Sequence, residues 1–253
     1  MKKLIPIVIA LLLLECMYIS TYGQLRSNKE QLYCMSKEVI KADMKEEYIQ
    51  ARQELISVCE ETSFPYSFIL WSSKENHCHL WYPIEELNDI DRINKAWDAF
   101  EKEYGNDIFK PIQECIETSI SQVMLAYRDL AYEPPESRLQ DDETHFCRMK
   151  KLYLNRGSEK EVKALVKKVI ELYESKGVTS AFYFGEGEIG FETPVLFNWS
   201  FARDLNDYLQ QGAKIKELLG ADYQEINHEI SHHVRETETI DFRYMNNMSY
   251  NYY

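Results

Sequence analysis

The sequence predicts an α+β fold made from one structural unit used twice. Three observations carry this. The composition breaks once, at residues 133–144, EPPESRLQDDET, where Pro134, Pro135 and a run of charge read as a linker. The segments on either side alternate strand-like and helix-like apolar periods in one shared order. Equivalent features of the two segments, among them the opening cysteines Cys34 and Cys147, recur at a near-constant offset of about 110–115 residues.

The first half opens with the strand YCMSKEVIK. Asp43-x-x-Glu46 has the form of a capping box. After it, Met44, Tyr48, Ala51, Leu55, Val58 and Cys59 fall on one helix face, and Phe64-Pro65 ends that helix. YSFILW and HCHLWYP form a hairpin around the polar turn SSKEN. A shorter helix carries Ile93, Ala96, Trp97 and Phe100 and stops near Gly105, a second carries Ile108, Ile112, Cys115 and Ile116, and SQVMLAYRDLAY closes the half as a strand.

The second half repeats the order. HFCRMKKLYL is a strand, Ser158-x-x-Glu161 a second capping box, and Val162, Leu165, Val166, Val169, Ile170 and Tyr173 a helix face ended by Gly177. TSAFYF and IGFETPVLF flank GEGE as the turn of a hairpin. Phe201, Leu205, Tyr208 and Leu209 mark a third element stopped at Gly212, and Leu218, Leu219, Tyr223, Ile226 and Ile230 mark a fourth. HHVRETETIDFRYM is the closing strand, and YMNNMSYNYY is a polar-aromatic tail that frays.

Each half therefore reads as a ferredoxin-like β-α-β-β-α-α-β unit, with its second helix broken in two. The parts are a signal peptide at 1–23, a first unit at 24–132, the linker, a second unit at 145–245 and a flexible tail at 246–253. Such a unit covers one face of its antiparallel sheet with helices and leaves the other bare. Two units in tandem cover each other as an intramolecular pseudo-dimer.

This element order, over about residues 32–245, resembles the dimeric α/β-barrel superfamily, which includes the antibiotic-biosynthesis-monooxygenase-type domains. The resemblance implies two ferredoxin-like sheets closed into a barrel. It does not fix a chemistry, because the superfamily mixes monooxygenases, haem-handling proteins, isomerases and domains of no known activity. Some haem-degrading members carry an axial histidine on the last helix of a unit, and His228 is the one residue here that matches that role.

The amino terminus has Lys2 and Lys3 ahead of an apolar run from Leu4 to Leu14. That run has the length of a signal-peptide core and is shorter than the roughly 20 residues that span a bilayer. Thr21 and Gly23 place cleavage before Gln24. The alternative is a lipoprotein anchored at Cys16, against which Glu15 stands just before the cysteine. No later stretch is apolar enough to span. The expected location is periplasmic or secreted. A formal charge of −13 disfavours nucleic acid and anionic lipid as partners. The five later cysteines, at wide spacing without C-x-x-C, permit disulfides in an oxidising compartment with at least one left over.

Candidate binding residues come from the hairpins. On a strand, His77, His79 and Trp81 share one face, while Cys78, Leu80 and Tyr82 share the other. An H-x-H pair suits a metal only with a third ligand, which the sequence does not supply at a recognisable spacing. No metal is expected, and the pair reads as a pocket wall or a half-exposed strand. Trp71, Trp81, Tyr183 and Phe191 line or back the barrel. The functional expectation is an exported, non-catalytic, monomeric barrel without a cofactor, binding a small apolar or aromatic molecule or serving as a scaffold. Two alternatives stand beside it: a monooxygenase-like or haem-handling oxidoreductase using His77, His79 and His228, and an extracytoplasmic interaction module.

Overall fold

A computed structural model describes residues 30–251 apart from Glu75. The signal peptide and the Cys16 alternative lie outside the described residues. The strands are β1 (Glu30–Ile40), β2 (Ile69–Ser72), β3 (His77–Ile84), β4 (Ile116–Tyr132), β5 (Phe146–Leu154), β6 (Phe182–Ile189), β7 (Val195–Ala202) and β8 (Val234–Tyr244). The helices are α1 (Lys45–Thr62), α2 (Asn88–Tyr104), α3 (Lys110–Cys115), α4 (Glu159–Lys176) and α5 (Leu205–His233).

The strands close into one barrel in the order β1-β3-β2-β8-β5-β7-β6-β4. Around that ring each half contributes four neighbouring strands in the order fourth, first, third, second. The halves meet where β2 pairs with β8 and β6 with β4, both antiparallel. Closure removes the open sheet edges. It also turns the bare sheet faces inward, where Met35, Trp71, Met124, Phe197, Trp199 and Phe242 fill the barrel. Outside, α1, α2 and α3 cover the first half over one apolar layer, and α4 and α5 cover the second half over another. No helix among the described residues is long and apolar enough to cross a membrane.

Several local expectations are corrected. Neither capping box forms. Met44 occupies the N-cap of α1 without a side-chain bond. Ser158 begins α4 with near-helical angles, unlike the extended backbone of a capping residue, and its Oγ pairs with His233 Nδ1 at 3.1 Å. The cap that does form is Asp204, whose carboxylate accepts the Asp207 N–H at 2.8 Å. GEGE is not a turn: it lies within β6, and the chain reverses between Ile189 and Val195. Gly212 does not stop a helix. The break in α5 falls at Gly220, whose φ of 65° is costly for residues with a Cβ.

The described residues just beyond β8 are packed rather than frayed. Phe68 and Tyr250 exchange backbone hydrogen bonds, and Met248 and Tyr250 are buried in the first half's layer. The linker is docked in a corresponding way on the second half: Arg138 donates to Asp207 at 2.9 and 3.1 Å and to Ser180 Oγ at 2.8 Å. All five described cysteines are free thiols.

Candidate functional site

A sizeable cavity lies outside the barrel. It lies in the second half, between the outer face of β5, β6 and β7 and the helices α4 and α5, with a volume of about 540 Å³. That is within the usual range for small-molecule sites, roughly 300–1,000 Å³. Alternation along the strands builds the wall. Cys147 and Met149 point into the barrel, so Lys150 and Leu152 include the residues of β5 that face the helices. On β7, Phe197 and Trp199 point inward, leaving Asn198 and Ser200 toward the cavity. Phe182 and Phe184 of β6, Val166 and Val169 of α4, and Ile215 and Ile230 of α5 supply an apolar surround.

Lys150 is the chemically distinctive group. It is cross-strand to Asn198 and makes no ion pair among the described residues. The side chain is exposed to solvent within the open cavity, and partial desolvation there, then the charge of Arg148, lower its ammonium from the ordinary lysine value. Arg148 is already committed, to Asp241 at 2.6 and 2.7 Å, and lies over the Tyr208 ring at 4.7 Å. Arg138 is held by Asp207, and Arg235 donates to Glu192 at 2.6 Å. Burial raises the phenols of Tyr173 and Tyr208, so both are neutral donors. The arrangement offers an unneutralised cation and several hydroxyl and amide groups against an apolar surface. It suits a ligand with an apolar or aromatic body and an anionic end.

The residues expected from the sequence lie elsewhere. Trp71 is in the barrel interior, 5.9 Å from the Phe201 ring. Tyr183 stacks on Trp199 at 5.9 Å, and Trp81 meets Phe242 edge-on at 6.2 Å. These rings pack in the barrel core, and none of the three lines the cavity at Lys150, although Tyr183 also borders a space of about 270 Å³ beside the linker. Phe191 is in the connection after β6 and packs on Phe197 at 5.0 Å. His77 and His79 share a small cavity at one barrel mouth. His228 is exposed and pairs with His232 at 3.3 Å, outside the large cavity.

A histidine-ligated haem therefore does not fit this cavity, whose lining holds no imidazole, thiolate or thioether. Among the described residues, no group of three or more His, Cys, Asp or Glu side chains comes together as a metal site. Lys150, Asn198 and Tyr208 were missed in the sequence. The signal was there: polar residues at helix-facing positions of two strands that should bury that face.

No protein-family profile matches the chain, and no curated protein matches it. Solved structures do. A monooxygenase-like protein from Lactobacillus acidophilus NCFM aligns at 9% identity over 86% of this chain and 94% of that one, with a TM-score of 0.56. An anthrone oxidase-like protein aligns at 11% identity over 85% and 92%, with a TM-score of 0.55. A mutant chlorite dismutase from Candidatus Nitrospira defluvii aligns at 9% identity over 86% and 92%, with a TM-score of 0.51. At such identities the likeness shows the fold alone: an α+β architecture with an eight-stranded antiparallel sheet and five helices, similar to that of dimeric α/β-barrel proteins.

Proposed function

We propose that this chain is an extracytoplasmic binding protein, and that its ligand is a small molecule with an apolar or aromatic body and an anionic end, seated in the second half's cavity. The observation that carries the reading is Lys150, a solvent-exposed ammonium with no ion-pair partner among the described residues, which lines the same cavity as Phe182, Phe184, Val166 and Val169. The chemical class keeps the sequence expectation of an apolar or aromatic ligand, and moves it from the barrel interior to the helix-covered face. The oxidoreductase alternative has fold likeness behind it and no residue constellation.

Anilinonaphthalene sulfonate, an aromatic anion, tests the reading by fluorescence titration. Saturable binding is expected, weakened about tenfold or more in Lys150→Met, as for loss of a charge-assisted hydrogen bond. The control Lys160→Met, on exposed α4 surface, should leave it unchanged. Absence of saturable binding, or indifference to Lys150→Met, would return the molecule to the scaffold reading.

The two halves are further proposed to be tandem copies related by a pseudo-two-fold axis, working as a monomer. The repeated order of strands within the ring supports this. Residues 24–136 expressed alone should aggregate or self-associate, because the fragment exposes the barrel face of its sheet; a stable folded monomer would contradict the idea. Export through a cleaved signal rests on the amino-terminal pattern. Mass analysis of exported protein should find Gln24 first, and a lipid-modified Cys16 would overturn it.

A further inference from the structure

The stretch NHCHLWYP contributes His77, His79 and Trp81 to the lining of a second cavity, separate from the one assigned above. It is small, about 70 Å³, and sits at one mouth of the barrel. At roughly 30 Å³ per water it has the space of about two waters, which is about what a small ion of three or four heavy atoms fills. Its lining is cationic although the chain as a whole is acidic, with a formal charge of −13. Lys37 enters from β1, directly opposite His79 in the ladder. Lys74 comes from the turn between β2 and β3, and Lys151 from β5. Among the described lining residues the one carboxylate is Glu238 of β8, which pairs with Lys151 at 3.0 Å and accepts from Tyr153 at 3.3 Å. Lys37 and Lys74 make no ion pair among the described residues.

Two further features point to an acceptor. Trp81 lines the cavity, and its Nε1 is enclosed without a hydrogen-bond partner among the described residues. A buried donor left in that condition costs about 1–3 kcal/mol. His79 is bonded to Ser73 Oγ at 2.9 Å. It is held neutral by burial and by the charges of Lys37, His77 and Lys151, its value falling to about 3. His77 is lowered in the same sense by burial, Lys37 and Lys74. The mouth thus carries a positive field that its own imidazoles avoid adding to.

We propose that the barrel mouth is a binding site for a small planar oxyanion, a carboxylate group or an inorganic ion of that shape, held by Lys37, Lys74 and Lys151. The Trp81 N–H donates to it or is freed to reach a neighbour by its arrival. Lysine suits this role as a point charge with three donors, so Lys151 keeps Glu238 while turning another proton to the anion.

The probes are acetate and nitrate, with chloride at matched ionic strength as control. The readout is nuclear magnetic resonance of the His77 and His79 imidazoles and the Trp81 indole N–H in the full chain. Saturable shifts are expected with acetate or nitrate. The titration midpoints of both histidines should rise, since an anion offsets the lysine charges that lower them. A response to acetate alone assigns a carboxylate; a response to both assigns any planar oxyanion. Lys37→Met, which keeps the side-chain stem, should weaken binding about tenfold. Lys74→Met, at an exposed turn position, serves the same purpose should the first variant unfold. An equal response to chloride, no saturable response, or binding unchanged in a folded lysine variant would overturn the proposal.

Discussion

In the first half, the layer between helices and sheet is closed by stacked rings. Phe64 lies 3.9 Å from Trp97 and meets Phe100 edge-on at 5.7 Å, and Trp97 Nε1 donates to Tyr82 Oη at 3.1 Å. The polar groups there form a closed set: Arg52 donates to both Glu38 carboxylate oxygens at 2.7 Å, and Tyr48 donates to Glu38 at 2.6 Å. In the second half, the same strand order supports a layer in which Tyr208, Gly212 and Ile215 of α5 border open space together with Lys150, which has no ion-pair partner among the described residues. Topology alone therefore does not decide where a ligand site arises. Residue volume and unmet polar demand decide it, and both are asymmetric here.

The sharpest way to break the comparison is to orphan the buried charge of the first half. Arg52→Ala leaves the buried Glu38 carboxylate with the Tyr48 hydroxyl but no countercharge and should cost about 3–5 kcal/mol in denaturant unfolding. Arg148→Ala, at the more exposed Arg148–Asp241 pair of the second half, should cost about 1 kcal/mol or less. Similar losses at the two sites would contradict the contrast. Truncating the packing follows. Phe64→Ala should cost about 3–5 kcal/mol. Ile215→Ala should cost only about 1 kcal/mol, since a side chain already beside a void has fewer contacts to lose.

Acid acts on the barrel between the two layers. His79 is lowered from 6.5 to about 3, chiefly by burial. The unfolded chain then takes up this proton first as pH falls. The stability linked to neutral His79 is complete above 6.5 and is lost on acidification toward 3, with a slope approaching roughly 1.4 kcal/mol per pH unit for one proton. His79→Phe should flatten that slope in urea unfolding over this range; an unchanged slope assigns the acid sensitivity to other groups. The smallest effect is expected at Gly212, where a built Cβ meets nothing within 4 Å. Gly212→Leu should stabilise by up to about 1 kcal/mol through helix propensity, while weakening anilinonaphthalene sulfonate binding by narrowing the cavity.

Apolar periodicity made the element order legible, because each helix and strand buries one face. What failed was register and packing. The opening cysteines were matched at an odd offset, yet Cys34 packs on the helix side and Cys147 inside the barrel. A one-residue slip in a strand exchanges its faces. GEGE resembled a turn because glycine has more than one use. Here a Cβ on Gly185 would stand 2.7 Å from the Leu125 carbonyl, and one on Gly187 would stand 2.7 Å from Val195. The glycines serve close packing inside β6. The barrel aromatics were recognised, but whether rings line a space or fill it depends on the opposing strands. The cavity at Lys150 needs elements from Arg138 to α5 brought together, which no local pattern specifies.

The central claim is that the apolar or aromatic ligand binds in the second half's helix–sheet layer. Methyl nuclear magnetic resonance during titration with anilinonaphthalene sulfonate tests it directly. The account predicts saturable shifts at Leu152, Val166, Val169, Ile215 and Ile230, with Leu55, Ile56, Ile93 and Ile112 of the first half unmoved. Shifts centred on the first-half methyls, or on Met35, Met124 and Met149 inside the barrel, would contradict it.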